Sequence, residues 1–287
     1  MQRWLGIGLL AGSAVAYSLA GFFTRLIPLD VVTLLFWRGV IAGIMLTVLV
    51  LLQYRGDAWA RTRAIGGMGL MVAGTGTLSS YLYLAAFRHT SVADVAVIYA
   101  TLPFMTAALA WVFLAEREGW RVLVSSVAAL VGVGVMTHGA SRAGHLVGDL
   151  LAVAMTLTFA MTMVLMRRGG RQVSMLPAVA VMCAITALVT APFAHFWPMD
   201  GRTILYLVLF GTCQLGLGLL FLSLGMRHVS ATQAAMLGLL DTPLAPLWVW
   251  LGFAEIPPAA TLVGGGIVMA AVAWTVLSPS ERRAAAD

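Results

Sequence analysis

Ten stretches of about 20 mostly apolar residues recur along this chain, each bounded by charge, glycine or proline, and nothing long enough to form a water-facing domain lies between them. They run 4–28, 31–53, 64–87, 91–114, 120–138, 146–166, 173–196, 204–226, 230–253 and 259–277. A helix of that length crosses the hydrocarbon core of a bilayer, and a helix satisfies all its backbone hydrogen bonds internally, which lipid cannot do for it. Composition agrees. Charged residues are only 10% of the chain and hydrophobic ones 61%, whereas a soluble domain devotes roughly a quarter of its residues to charge. The expected fold is therefore an all-α membrane protein of ten transmembrane helices. Ala14-Val15-Ala16 resembles a signal-cleavage site. The first stretch is too long for a signal core, however, and has a counterpart in the second half, so it is read as a helix.

All of the 17 basic residues are arginines. They are scattered singly over the loops and form no stripe, so nucleic acid is not an expected partner. Topology accounts for them better. Twelve fall on the side of the N-terminus, among them Arg55, Arg61, Arg63, Arg167, Arg168, Arg171, Arg282 and Arg283. Arg25, Arg88, Arg142 and Arg202 fall on the other side, and Arg38 lies within the second stretch. Positive loops stay cytoplasmic, so both termini are expected there. The two cysteines, Cys183 and Cys213, sit inside apolar stretches and read as core thiols.

The chain repeats itself. Arg88-His89-Thr90-Ser91 returns as Arg227-His228-Val229-Ser230, Glu116 as Glu255, and Pro103 as Pro243 with a one-residue slip. Gly6, Tyr17 and Arg25 match Gly148, Phe159 and Arg167. The boundary between copies falls near 140, giving units 1–140 and 141–287. Five helices per unit is an odd number, so the second copy enters the membrane from the opposite face. Inverted repeats are an architecture of secondary transporters, with a substrate site near the midplane between the halves.

Short motifs in the same places resemble the EamA-type drug/metabolite transporter superfamily. They are Phe36-Trp37-Arg38 with Ala42, and the polar start, mid-helix proline and closing glutamate of Ser91…Pro103…Glu116 and Ser230…Pro243…Glu255. The resemblance spans the whole chain, one unit per half. It implies a ten-helix carrier in a bacterial inner membrane, of a kind that exports amino acids or other small metabolites, with no cofactor and as a monomer. It also implies an architectural role for Arg38. Asp241 departs from the pattern, since Leu102 stands at its place in the first half, and no family role is carried onto it.

Asp241 is the residue that most invites a function. A carboxylate near the centre of a bilayer costs about 2.5–3.5 kcal/mol on insertion scales and must face protein or a watery cavity. Two roles are open to it: counter-charge for a substrate amine, or proton carrier in a proton-coupled cycle. Pro103 and Pro243 break the fourth and ninth helices at matching places, and Pro243 and Pro246 are expected to free the carbonyls of Leu239 and Thr242. Tyr81, Tyr99, Gln214 and Arg38 are further candidates to line a substrate cavity, each being polar and away from a helix end. Asp94 and Gln233 read as capping-box partners of Ser91 and Ser230. Glu116 and Glu255, at unfavourable helix C-termini, are expected to find an arginine or a following helix start. An open channel or a non-transporting membrane subunit is the competing reading. An intramembrane enzyme would need a His-Glu-x-x-His, a Gly-x-Ser-x-Gly or two deep carboxylates on one helix, and the sequence has none. A retinal receptor would need a lysine for its Schiff base, and there is none.

Overall fold

The computed structural model describes residues 2–90, 92–116, 118–137, 146–170, 174–195, 200–254 and 256–277. Ser91, Arg117, Arg142, Arg171, Glu255, Arg282 and Arg283 lie outside the described residues, as does the side chain of Arg88. The described residues are helical with short connections and no strand. The helices are α1 (Gln2–Leu26), α2 (Val31–Tyr54), α3 (Gly66–His89), α4 (Val92–Leu114), α5 (Trp120–Met136), α6 (Leu146–Gly170), α7 (Leu176–Thr190), α8 (Gly201–Gly225), α9 (Ala231–Phe253) and α10 (Ala259–Leu277).

Eight of these regions are long and apolar enough to cross a membrane. Of the other two, α5 is apolar but 17 residues long, and the centre of α3 is rich in hydroxyls. That centre is compensated from within. Thr77 donates to the carbonyl of Met182 at 3.3 Å, Ser79 to Met155 at 3.2 Å and Ser80 to Gly76 at 3.0 Å. Hydroxyls bonded to neighbouring backbone offer lipid little polarity.

The outer surface is a skin of large apolar side chains, such as Ile44, Leu52, Val112, Leu188 and Leu251. Small residues set the contacts inside. α3 packs on α6, α1 on α8, α2 on α7, α4 on α9 and α5 on α10, so each pair joins the first half of the chain to the second. Glycines permit the closest approaches. A Cβ on Gly132 of α5 would sit 2.8 Å from the carbonyl oxygen of Gly264 on α10, and one on Gly264 would strike the carbonyl of Gly132. Gly264→Ala is therefore expected to push α5 and α10 apart at a cost of about 1–3 kcal/mol. Thermal melting in detergent would register the loss, and an unchanged melting temperature would mean the two helices do not meet there.

Matching positions make matching contacts. A Cβ on Gly6 of α1 would lie 2.5 Å from Cβ of His228, at the corner between α8 and α9. One on Gly148 of α6 would lie 2.5 Å from the backbone of His89, at the corner between α3 and α4. α4 ends on Ala115 and α9 on Ala254, both left-handed, with φ of 52° and 55°. The closing glutamate of α4 has found its arginine: Glu116, only 3% exposed, pairs with Arg167 of α6 at 3.6 Å. Arg167 also donates to the carbonyls of Met226 and Arg227 at 3.1 and 2.8 Å. Its counterpart Arg25 rests over the ring of Phe253 at the end of α9.

Caps follow the expected chemistry where they are described. Ser230 accepts from the N–H of Gln233 at 3.2 Å. Asp94 accepts from the hydroxyl of Thr90 at 3.1 Å, and its expected capping partner Ser91 lies outside the described residues. Asp30 caps α2 through the N–H groups of Val32 and Thr33, and it meets His195 at 3.3 Å, tying the start of α2 to the end of α7. Partial burial alone would raise the Asp30 carboxyl. Hydrogen bonds from Thr33, His195 and Val32 outweigh it and hold the group below its usual 3.8. A lowered carboxylate contributes stability that is complete above its unfolded value and is lost as pH falls through the lowered one. Asp30→Ala should cost about 1 kcal/mol at neutral pH, as an N-cap does, and progressively less as melting curves are taken below pH 4.

Candidate functional site

The site begins with two broken helices. α4 divides into Val92–Tyr99 and Leu102–Leu114, and α9 into Ala231–Gly238 and Asp241–Phe253. Pro103 and Pro243 each stand in the first turn of the second segment, where a missing N–H is tolerated. The expectation of a freed Leu239 carbonyl is corrected: the N–H of Thr242 donates to it at 3.2 Å, a tighter turn replacing the bond proline removes. The break in α4 also contains a tight turn, the N–H of Thr101 reaching the carbonyl of Ile98 at 3.0 Å. The breaks therefore turn the chain without leaving the Leu239 carbonyl open. Pro243 packs toward Gly265 of α10, so its part is helix shape.

Asp241 opens the second segment of α9, where the positive end of the helix dipole favours a carboxylate. It lies one residue from the middle of a 23-residue helix. The hydroxyl of Thr242 donates to its Oδ1 at 3.2 Å. Asp241 faces a cavity between α1, α4, α6, α8 and α9, lined also by Ser13, Tyr17, Tyr99, Phe159 and Gly238. The rings of Tyr99 and Phe159 stack at 6.2 Å. The cavity measures about 10 Å³, room for about one water, so the site is occluded. A hollow of about 290 Å³ lies near the N-terminal end of α1, but Trp4, Leu5, Gly8, Leu9 and Phe221 line it. It carries no titratable group, and Trp4 and Leu5 are exposed on the outer surface.

A second polar centre adjoins the cavity. Arg38 of α2 donates to Oε1 of Gln214 at 3.4 Å and lies over the ring of Phe210 at 5.5 Å. Gln214, 3% exposed, is held in a π-helical turn, Phe210–Gly216, inside α8. Such turns re-aim side chains within a helix. This one fits because its glycines face α2: a Cβ on Gly211 would meet Ile41 at 2.6 Å, and one on Gly216 would meet Sδ of Met45 at 2.7 Å. The Nε of Arg38 is buried with no hydrogen-bond partner among the described residues. Tyr17, on the cavity wall, also lies against Gly218 of α8, about one turn beyond Gln214.

Of the residues anticipated from sequence, Asp241 and Tyr99 meet at the cavity and Arg38 meets Gln214 beside it. Tyr81 does not join them; it is 58% exposed on the outside of α3. Tyr83, two residues on and about 200° around the helix, is itself 40% exposed. Tyr17 and Phe159, noted above only as matching positions in the two copies, both line the cavity. Their pairing in the sequence was a signal that could have found them, because the matched positions on α1 and α6 face the same cavity. Cys183 is buried, and Gly39 and Gly43 of α2 pack against it.

Among solved structures, one crystal structure 18% identical in sequence superposes with a TM-score of 0.78 over 95% of this chain and 96% of the other, which shows a shared fold. Among curated proteins, the chain is 26% identical over 286 residues to solute carrier family 35 member G1 of Mus musculus, covering 92% of this chain and 75% of that protein. It is 27% identical over 249 residues to the pseudopaline exporter CntI of Pseudomonas aeruginosa, covering 83% of each. The model of the EamA-like transporter family matches residues 4–138 and again 146–277. The chain thus belongs to the EamA-like transporter family, within the drug/metabolite transporter superfamily, and is a membrane transporter of that type.

Proposed function

We propose that this protein is a secondary transporter exporting small metabolites such as amino acids across the cytoplasmic membrane of a bacterium, by alternating access around the Asp241 cavity. One observation carries the reading: a deep carboxylate faces a closed cavity between the two halves, at a helix break matched in the other half. A channel needs a continuous path, and a cavity of about 10 Å³ within the bundle offers none, which favours a carrier. The relative named as an exporter lends support to the direction.

The proposed architecture is ten crossings in two inverted five-helix repeats, acting as a monomer with both termini cytoplasmic. Three things favour it: the two separate family matches, the equivalent contacts of Gly6 and Gly148, and the lopsided arginines. Arg3 near the N-terminus donates to the carbonyl of Val276 at 3.0 Å, as expected if the first and last helices share a face. Reporter fusions after Arg283 should read cytoplasmic and those near Arg142 periplasmic; the reverse pattern would remove the topology.

The functional test is counterflow in proteoliposomes. A carrier concentrates a labelled amino acid against an excess of unlabelled one, and the effect saturates. Uptake that rises linearly with concentration and shows no overshoot would assign an open pore instead.

A further inference from the structure

Two of the seams between the halves match each other in sequence. α3 against α6 corresponds to α8 against α1, since the Arg-His corners equate the ends of α3 and α8, and Gly6 with Gly148 equates the starts of α1 and α6. One hydrogen bond is common to both. Ser79 of α3 donates to the carbonyl of Met155 on α6 at 3.2 Å. Ser13 of α1, at the position matching Met155, donates at 2.8 Å to the carbonyl of Gly218, at the position matching Ser79.

Beyond that bond the seams differ. α3 and α6 are uninterrupted, and the hydroxyl of Thr162 also donates to that of Thr75 across them at 2.8 Å. α8 is interrupted at its middle by the π-helical turn Phe210–Gly216, and α1 at Leu19. Here glycines meet side chains. The ring of Phe221 lies 3.2 Å from where a Cβ on Gly12 would stand, Tyr17 lies 3.0 Å from one on Gly218, and Leu10 lies 2.7 Å from one on Gly225. Contacts of that kind are short-ranged and carry no direction, so they part and re-form without leaving a polar group bare. A π turn is also a place where a helix bends. This one is braced on α2 by Gly211 against Ile41, Gly216 against Met45 and Gln214 against Arg38, which makes it a pivot with a helical segment on either side. The α1–α8 seam is thin as well. Leu9 and Phe221 line the outer hollow, and their neighbours Leu10 and Leu222 line the Asp241 cavity.

We infer that the two seams have different duties: α3–α6 stays closed throughout, and α1–α8 is the gate, the two segments of α8 swinging in turn about the π-helical turn. This rests on the transport reading above and adds to it which elements move. When Leu217–Gly225 swings, the ring of Phe221 leaves Gly12 and the cavity reaches the N-terminal face through the hollow. When Gly201–Leu209 swings, the cavity reaches the opposite face.

The test links each seam in turn, in the full-length protein with Cys183→Ala and Cys213→Ala. Gly12→Cys with Phe221→Cys spans the gate, and Ser79→Cys with Met155→Cys spans the fixed seam. A short bifunctional thiosulfonate joins each pair, and counterflow is measured in proteoliposomes before linking, after linking and after reduction. Linking 12 to 221 should abolish counterflow and reduction should restore it, whereas linking 79 to 155 should leave it unchanged. Hydrogen exchange on the wild type in detergent gives a readout independent of solute and of substitution. Amides of 8–17 and 210–225 should exchange about ten-fold faster than those of the matching stretches 150–159 and 71–86. The inference is overturned if the 79–155 link also stops transport, if the 12–221 link does not, or if the two seams exchange at equal rates. Faster exchange at α1–α8 with no counterflow by the wild type would keep the mobile seam and sink the transport reading. Counterflow by the wild type with equal exchange would do the opposite.

Discussion

Arg167→Ala should destabilise the fold by about 3–5 kcal/mol, the cost of leaving one member of a buried ion pair alone. Glu116 would then be a carboxylate 3% exposed beside the end of α4, where the helix dipole is already negative. The same change removes two hydrogen bonds to the corner between α8 and α9. Arg167 thus fastens α4, α6 and the α8–α9 corner at one point, and no other side chain named here joins three elements in this way. Glu116→Gln should be milder, because Arg167 keeps its carbonyl acceptors and the burial of a lone carboxylate is avoided. Thermal melting followed by size-exclusion chromatography would rank the variants. Equal stability of Arg167→Ala and wild type would mean the pair is solvated in the membrane-embedded protein.

Asp241→Asn should weaken substrate binding about 10- to 150-fold, equivalent to about 1.5–3 kcal/mol for one hydrogen bond to a charged group. The melting temperature should hold or rise, because the amide keeps the shape and sheds a buried charge that accepts one side-chain hydrogen bond among the described residues, from Thr242. The pattern of loss separates the two roles open to the residue. If Asp241 holds a substrate amine, exchange and net transport fall together. If it carries the coupling proton, the variant still exchanges substrate for substrate but ceases to respond to a pH gradient. A variant that transports normally under both conditions would reduce Asp241 to a shaper of α9.

The helices were legible because a bilayer makes one demand on sequence, a long apolar run, and the runs stand apart. The span 259–277 coincides with α10, and most other ends shift by only a few residues. The extra turn of α6 through Gly170 was not legible, since Arg167 and Arg168 read as a loop until Glu116 and the neighbouring carbonyls are brought to Arg167. The Arg-His corners that match in the sequence make matching contacts: Gly148 packs on His89 and Gly6 on His228.

The candidate site was only half legible. Depth pointed to Asp241, which is a one-dimensional property. Which face of a helix a tyrosine takes is not, and Tyr81 and Tyr83 look alike in a helix apolar on every side. The π-helical turn that aims Gln214 at Arg38 shifts the helical register by a residue. No periodicity argument could anticipate it, although Gly211 and Gly216 bracket it in the sequence.

The central claim is that a cavity between the halves opens to each side of the membrane in turn, and Gly238 offers the most direct test. It lines the cavity, and a Cβ there would meet nothing within 4 Å. A cysteine at 238, in a background with Cys183 and Cys213 replaced by alanine, would report access to the site with little disturbance of packing. Membrane-impermeant thiol reagents applied separately to right-side-out and inside-out vesicles should each label it, and a transported solute should slow both reactions. Labelling by a lipid-soluble maleimide alone, with no reaction from either aqueous face, would place position 238 against lipid or sealed protein and contradict the account.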